Sequence, residues 1–153
     1  MKKKSHGRRR RKQAVCVKES RVGQGVFACR AFGSDEVIGQ IRGEIIDDAD
    51  YHSDYCMELE NDLVIEPDDP FRCLNHSCQP NCELFQWESK GRVECPDELW
   101  VHALQVILPG EELTIDYGWP ADEAISCLCG ASNCRGWIVA EDQLYRIGQP
   151  SVA

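Results

Sequence analysis

Apolar residues in this chain come in short bursts set off by glycine, proline and acidic residues. No stretch carries the three-and-four spacing of a long amphipathic helix. From Val15 to Ile46 strand-forming residues alternate with glycine. Gly23-Gln-Gly25 reads as a turn feeding a strand at Val26-Phe27-Ala28, and Gly33-Ser-Asp-Glu36 as a turn before Val37–Ile41. Residues 47–54, DDADYHSD, form a polar connection with room for at most two helical turns. Tyr55–Leu59 and Leu63–Glu66 read as short strands around a turn at Glu60-Asn-Asp62. Leu84–Glu88 and Leu99–Ile107 read as strands around a polar loop, and Pro109-Gly110 is a turn signal. Glu112–Tyr117 is the last strand, and Glu141–Tyr145 fits a short helical turn. Many short strands with long connections imply a mainly β fold, all-β or α+β.

Length and composition narrow this. The 153 residues, 42% of them hydrophobic, suit one domain with one core. No apolar run approaches the ~18 residues of a membrane span, and no apolar segment follows the basic start as in a secretory leader. The expectation is a soluble intracellular protein, cytoplasmic or, in a eukaryote, nuclear. The net charge of −9 hides a split. Residues 2–12, KKKSHGRRRRK, hold eight of the seventeen Lys and Arg; the rest sets nine basic against twenty-six acidic residues, a balance of −17. An acidic body attracts cationic partners and repels nucleic acid. The basic segment reads first as a solvated arm, and functionally as a nuclear or nucleic-acid-binding tag or a substrate of the acidic body.

Ten cysteines without a secretory leader point to metal binding or free thiols rather than disulfides. Cys127-x-Cys129-Gly-x-x-x-Cys134 offers closely spaced thiols, with Gly130 permitting a tight turn. Structural Zn²⁺ takes four ligands, so one comes from elsewhere: Cys73, Cys78, Cys82 and Cys95 are the candidates. Cys16, Cys29, Cys56 and Cys95 read as buried thiols. Gly23-x-Gly25 alone is a weak signal, lacking the strand–glycine–helix context of a dinucleotide site.

The stretch from Arg72 to Cys82, RCLNHSCQPNC, is unlike ordinary core or loop. His76 reads as a metal ligand, a general base or a satisfied core residue. The polar neighbours Asn75 and Ser77 favour groups arranged to hold a ligand. Strand alternation puts Tyr117 on the face of Leu113 and Ile115, either as plain core or presenting its hydroxyl to a pocket.

Taken together, these motifs resemble the SET-domain protein-lysine methyltransferases. Four occur in the family's order: Gly23-Gln-Gly-Val-Phe-Ala28, Gly43-Glu44, Arg72-x-x-Asn-His-Ser-Cys78-x-Pro-Asn81 and Glu112-Leu-Thr-Ile-Asp-Tyr117. Cys127-x-Cys-Gly-x-x-x-Cys-Arg135 looks like the post-SET zinc motif. The resemblance implies a β-clip fold of small curled sheets with a pseudoknot-like core. It divides the chain into a basic tail (1–13), a SET domain (14–120), a zinc-binding post-SET segment (121–140) and a C-terminal tail (141–153). It implies S-adenosyl-L-methionine as methyl donor and the lysine amine of a basic, histone-like protein as acceptor. By position, Gly23, Gly25, Val26, Arg72, Asn75 and His76 would hold the donor, largely through backbone. Tyr55 and Tyr117 would stand at the lysine channel, with Tyr117 catalytic. Trp137 would close the site, and Cys78 would join Cys127, Cys129 and Cys134 on zinc.

The chain departs from the family pattern where aromatics are common: Gln24, Ile41, Cys73, Leu84 and Ile115 stand in their places. A channel poorer in phenols is roomier, so higher methylation states are expected. Two rivals remain: a catalytically silent SET-like binding module, and a zinc-stabilised protein binding nucleic acid through residues 2–12.

Overall fold

The structure is a computed structural model that describes residues 13–148. The basic segment, with the nucleic-acid reading attached to it, lies outside the described residues. In chain order the strands are β1 (Val15–Ser20), β2 (Gly23–Ala28), β3 (Val37–Ile41), β4 (Gly43–Ile46), β5 (Met57–Glu58), β6 (Val64–Pro67) and β7 (Asn75–His76). They continue with β8 (Cys82–Phe85), β9 (Glu88–Ser89), β10 (Arg92–Val93), β11 (Leu99–Ala103), β12 (Glu112–Ile115), β13 (Ile125–Ser126) and β14 (Trp137–Ile138). Short 3-10 turns occupy Glu60–Asp62, Phe71–Cys73, Ala121–Glu123 and Glu141–Arg146.

These strands build small sheets in the orders β1-β2-β12-β7, β3-β11-β8 and β4-β6-β5, with two-stranded ribbons β9-β10 and β13-β14. Strand alternation decides which side is core. In β11, Leu99, Val101 and Ala103 are buried while Trp100 and His102 face outward. Val26, Ile41, Ile65, Val101, Leu113 and Ile115 meet in one apolar cluster. The expected mainly β fold of small curled sheets is therefore present.

One pairing positions the site. β7 runs parallel to β12, with Asn75 beside Thr114 and His76 beside Ile115, while the other edge of β12 pairs antiparallel with β2. Beyond β7 the chain turns back, and the Asn81 amide substitutes for a strand neighbour. Its Nδ2 donates to the Glu112 carbonyl at 2.8 Å, and its Oδ1 accepts from the Thr114 N–H at 2.9 Å. This satisfies backbone groups where the strand pairing stops.

The structure shortens four expected strands: Tyr55–Leu59 is reduced to Met57–Glu58, Leu84–Glu88 stops at Phe85, and two more end early near the site. β11 ends at Ala103, and Ile107 makes only a bridge to Phe32. The Leu104 N–H still bonds the Asn81 carbonyl, the last rung of the β11–β8 ladder, and the chain leaves the sheet after it. β12 ends at Ile115, so Tyr117 lies beyond regular pairing. Residues 47–54 contain no helix. Two of their side chains, Tyr51 and Ser53, donate to the Glu66 carboxylate, which also accepts from Arg72. Cys29 and Cys95 are exposed, contrary to the buried-thiol reading. Cys29 sits just past the end of β2, and Cys95 lies in a loop among Glu94, Asp97 and Glu98.

Candidate functional site

The three segments that meet at β12 enclose a cavity of about 550 Å³. Gly23 and Gln24 enter from β2, Arg72, Cys73, Leu74 and Asn75 from the 3-10 turn and β7, and Tyr117 from the end of β12; Tyr55, Asp54 and Asp69 complete the wall. Of the residues expected to hold a donor, Gly23, Arg72, Asn75 and Tyr117 line this space. Gly25, Val26 and His76 are buried. Trp137 is absent from the wall; it stands on β14, 38% exposed. The aromatic beside Tyr117 is Trp119, with ring centroids 5.3 Å apart.

Glu112 ties the cavity floor together. Its carboxylate crosses Gly25 so closely that a Cβ there would collide with Oε1. The same oxygen accepts from Asn75 Nδ2 at 2.8 Å. Asn75 Nδ2 also reaches the Gln24 carbonyl at 2.9 Å and Ser20 Oγ at 3.1 Å. The Asn75 side chain thus fastens β7 to the β1–β2 hairpin. Arg72 lies 3.9 Å over the Tyr55 ring and donates to Glu66 at 2.8 Å, a cation–π and charged pairing that sets both cavity residues.

The Tyr117 hydroxyl donates to the Leu74 carbonyl at 2.7 Å. Burial pushes its pKa up to about 12, against the help its backbone bond to His76 gives the anion. It is therefore a neutral phenol at physiological pH, with its proton committed to Leu74 and an oxygen lone pair left to accept.

Cys78, Cys127, Cys129 and Cys134 have their sulfurs within 4.8 Å of one another, with Cys78 and Cys127 at 3.8 Å. A tetrahedron of ~2.3 Å zinc–sulfur bonds has edges of about 3.8 Å. Backbone N–H groups of Cys129, Arg135 and Gly136 point at Cys127, Cys78 and Cys134 at 3.3–3.4 Å, favouring thiolates. Burial raises Cys127 to about 12. At Cys129 burial is outweighed by donors from the Cys78 and Ala131 backbone and by neighbouring thiols, giving about 6. Crowded thiols ionise unevenly until a cation neutralises them, and this donor set fits Zn²⁺. Gly130, at φ +73°, makes the turn between Cys129 and Cys134, and Arg21 lies over it where a Cβ would stand.

His76 joins this cluster to Tyr117. Its Nδ1 accepts from the Tyr117 N–H at 3.1 Å, which leaves Nε2 to carry the proton and donate to Cys78 Sγ at 3.3 Å. Burial lowers its pKa, more than offsetting the attraction of Asp116, and keeps the ring neutral. Asp116 instead pairs with Arg135 through two bonds of 2.8 Å each. The circuit is closed: Tyr117 to His76, His76 to Cys78, Cys78 to the Arg135 backbone, and the Arg135 side chain to Asp116, the neighbour of Tyr117.

The SET domain family model matches residues 23–118. The chain belongs to the SET-domain family. Among curated relatives, human histone-lysine N-methyltransferase SETD2 is 29% identical over 92% of this chain and 6% of its own length. Arabidopsis thaliana histone-lysine N-methyltransferase ASHR3 is 31% identical over 85% of this chain and 29% of its own. The chain thus spans under a third of either relative. Among solved structures, KRYPTONITE in complex with mCHH DNA, an H3(1-15) peptide and SAH superposes with a TM-score of 0.66 at 26% identity, covering 80% of this chain and 29% of that one.

The site is also organised by residues that the sequence left without roles. Asn81, Glu112, Asp116 and Arg135 all stand inside the motifs, but motif membership says nothing about partners. Trp119 carried no signal, because strand alternation had already ended before it.

Proposed function

We propose that this SET domain transfers a methyl group from S-adenosyl-L-methionine to the side-chain amine of lysine in a basic, histone-like protein. The observation that carries this reading is the convergence of Gly23, Arg72, Asn75, Tyr55 and the Tyr117 phenol on one acidic cavity. Its ~550 Å³ lies in the size range of small-molecule sites. The KRYPTONITE complex with SAH and a histone peptide supports the same pairing of cofactor and substrate class. A histone-like substrate implies the nucleus as the site of action in a eukaryotic cell. Residues 2–12 provide the charge for a nucleic-acid contact.

S-adenosyl-L-methionine supplies an electrophilic methyl on a sulfonium. Gly23, Arg72 and Asn75 hold it, with Gly25, Val26 and His76 shaping the floor behind them. Asp54 and Asp69 favour a cationic guest at the wall. Tyr55 and Tyr117 confine the lysine stem, which fixes the line of approach. Tyr117 cannot act as a general base, since its phenol is neutral and already donates to Leu74. Its oxygen accepts from the amine and aligns it. A free lysine amine has a pKa near 10.4, so it must shed its proton to solvent as it enters the partly desolvated channel.

The test is incubation with labelled methyl donor and a panel of basic proteins. Label on lysine is the expected result. A second reading is favoured by Gln24 and Cys73, which occupy cavity-wall positions where the family commonly carries aromatics. On that reading the domain binds the donor in calorimetry yet labels nothing in the panel.

A further inference from the structure

Cys16 and Cys29 belong neither to the cavity's lining nor to the four-cysteine cluster. The β1–β2 register sets Val15 opposite Ala28 and Cys16 opposite Phe27, and the Cys29 N–H continues the ladder to the Ala14 carbonyl at 2.9 Å. Cys16 and Cys29 therefore share one sheet face on a diagonal. Their sulfurs are 2.9 Å apart, and Cys29 is exposed. A disulfide at ~2.05 Å requires the sulfurs to approach by only about 0.9 Å more. The hydrogen bond to Cys16 and then burial raise the Cys29 pKa, while Lys18 pulls the other way, so the resting form is the dithiol.

We propose that Cys16 and Cys29 are an oxidation site that closes to a disulfide under peroxide and staples the open end of the β1–β2 hairpin. The opposite end of that hairpin carries Gly23 and Gln24 into the cavity. The Cys29 thiolate attacks one peroxide oxygen, the O–O bond breaks, and the departing hydroxide takes up the thiol's proton to leave as water. This leaves Cys29 as a sulfenic acid. The Cys16 sulfur then gives up its proton and attacks the Cys29 sulfur. The S–S bond forms as the S–O bond breaks, and the hydroxide leaves with that proton as a second water. Two thiols are oxidised by two electrons, and one peroxide is reduced to two waters.

The experiment treats the zinc-loaded full chain with hydrogen peroxide, blocks free thiols, and maps peptides without reduction. A chromogenic chelator reports zinc release in parallel. The expected result is a cross-linked Cys16–Cys29 peptide, lighter by two hydrogens, that accumulates before zinc is lost and disappears on reduction. Cys16→Ser removes the resolving thiol, so a sulfenic-acid probe should label Cys29 in that variant several-fold more than in the parent. Equal labelling of parent and variant, or zinc loss with no Cys16–Cys29 peptide, would overturn the proposal.

Discussion

Tyr117 shows how much one hydroxyl is asked to do. Tyr117→Phe removes the 2.7 Å bond to the Leu74 carbonyl, which should cost about 1 kcal/mol of stability. The misaligned amine should lower methyl transfer by about tenfold or more while donor binding persists. Calorimetry and single-turnover rates separate the two; an unchanged rate removes Tyr117 from the mechanism. Its raised pKa carries a pH prediction. A phenol held near 12 against about 10 unfolded stabilises the fold below pH 10, and that contribution is lost as pH rises toward 12. Activity should therefore climb from pH 7 to 9.5 as substrate lysine deprotonates. A descending limb in that range, with the fold intact by circular dichroism, would contradict a neutral Tyr117. Asn81 offers a structural counterpart. Asn81→Leu strands the Glu112 carbonyl and Thr114 N–H together, and should cost about 2 kcal/mol or more in denaturant unfolding.

Among the elements, the cysteine-rich segment around Cys127–Arg135 and the end of β12 are held by one charged clasp. Arg135 aims both terminal nitrogens at Asp116 and leaves its Nε buried without a partner. Only a planar fork fits both carboxylate oxygens, so Arg135→Lys keeps the charge and loses the geometry. Asp116→Asn and Arg135→Lys should each speed chelator-driven zinc loss several-fold and lower transfer, and the double variant should be little worse than either single one, because both break the same link. Additive effects would show two independent roles. Zinc removal itself should weaken donor and substrate binding together, through Cys78 and His76. The elements also show where sequence was readable. β2, β3 and β6 announced themselves as short apolar runs beside turn residues, and β11 also shows the alternation of a half-buried strand. β7, β9, β10, β13 and β14 are two residues each, too short for any period to register. The clasp was illegible for another reason: charge at Asp116 and Arg135 is evident in sequence, but their partnership depends on how the metal knot folds back.

For the molecule as a whole, two properties bear on what leaves the active site. The acidic balance of residues 13–153 predicts that KM for a basic protein substrate rises with ionic strength while KM for the donor moves little. The channel predicts how many methyls are added. Ile41 and Ile115, where the family often carries phenols, are 1% and 4% exposed and pack in the core, so they line no wall. The cavity wall keeps two phenols, Tyr55 and Tyr117, beside Cys73 and Gln24. A methylated amine needs room to rotate and present its lone pair again, and it loses one hydrogen-bond donor with each round. Few phenolic acceptors near the amine mean little is forfeited as those donors disappear, and the small Cys73 leaves space. Extended incubation with excess donor should therefore yield dimethyl- and trimethyl-lysine, resolved by intact mass of a single-lysine peptide. Cys73→Tyr, which adds a phenol and bulk to the wall, should shift that product toward monomethyl-lysine without abolishing the first transfer. Monomethyl-lysine alone from the parent enzyme, however long the incubation, would show that Tyr55 and Tyr117 suffice to close the channel.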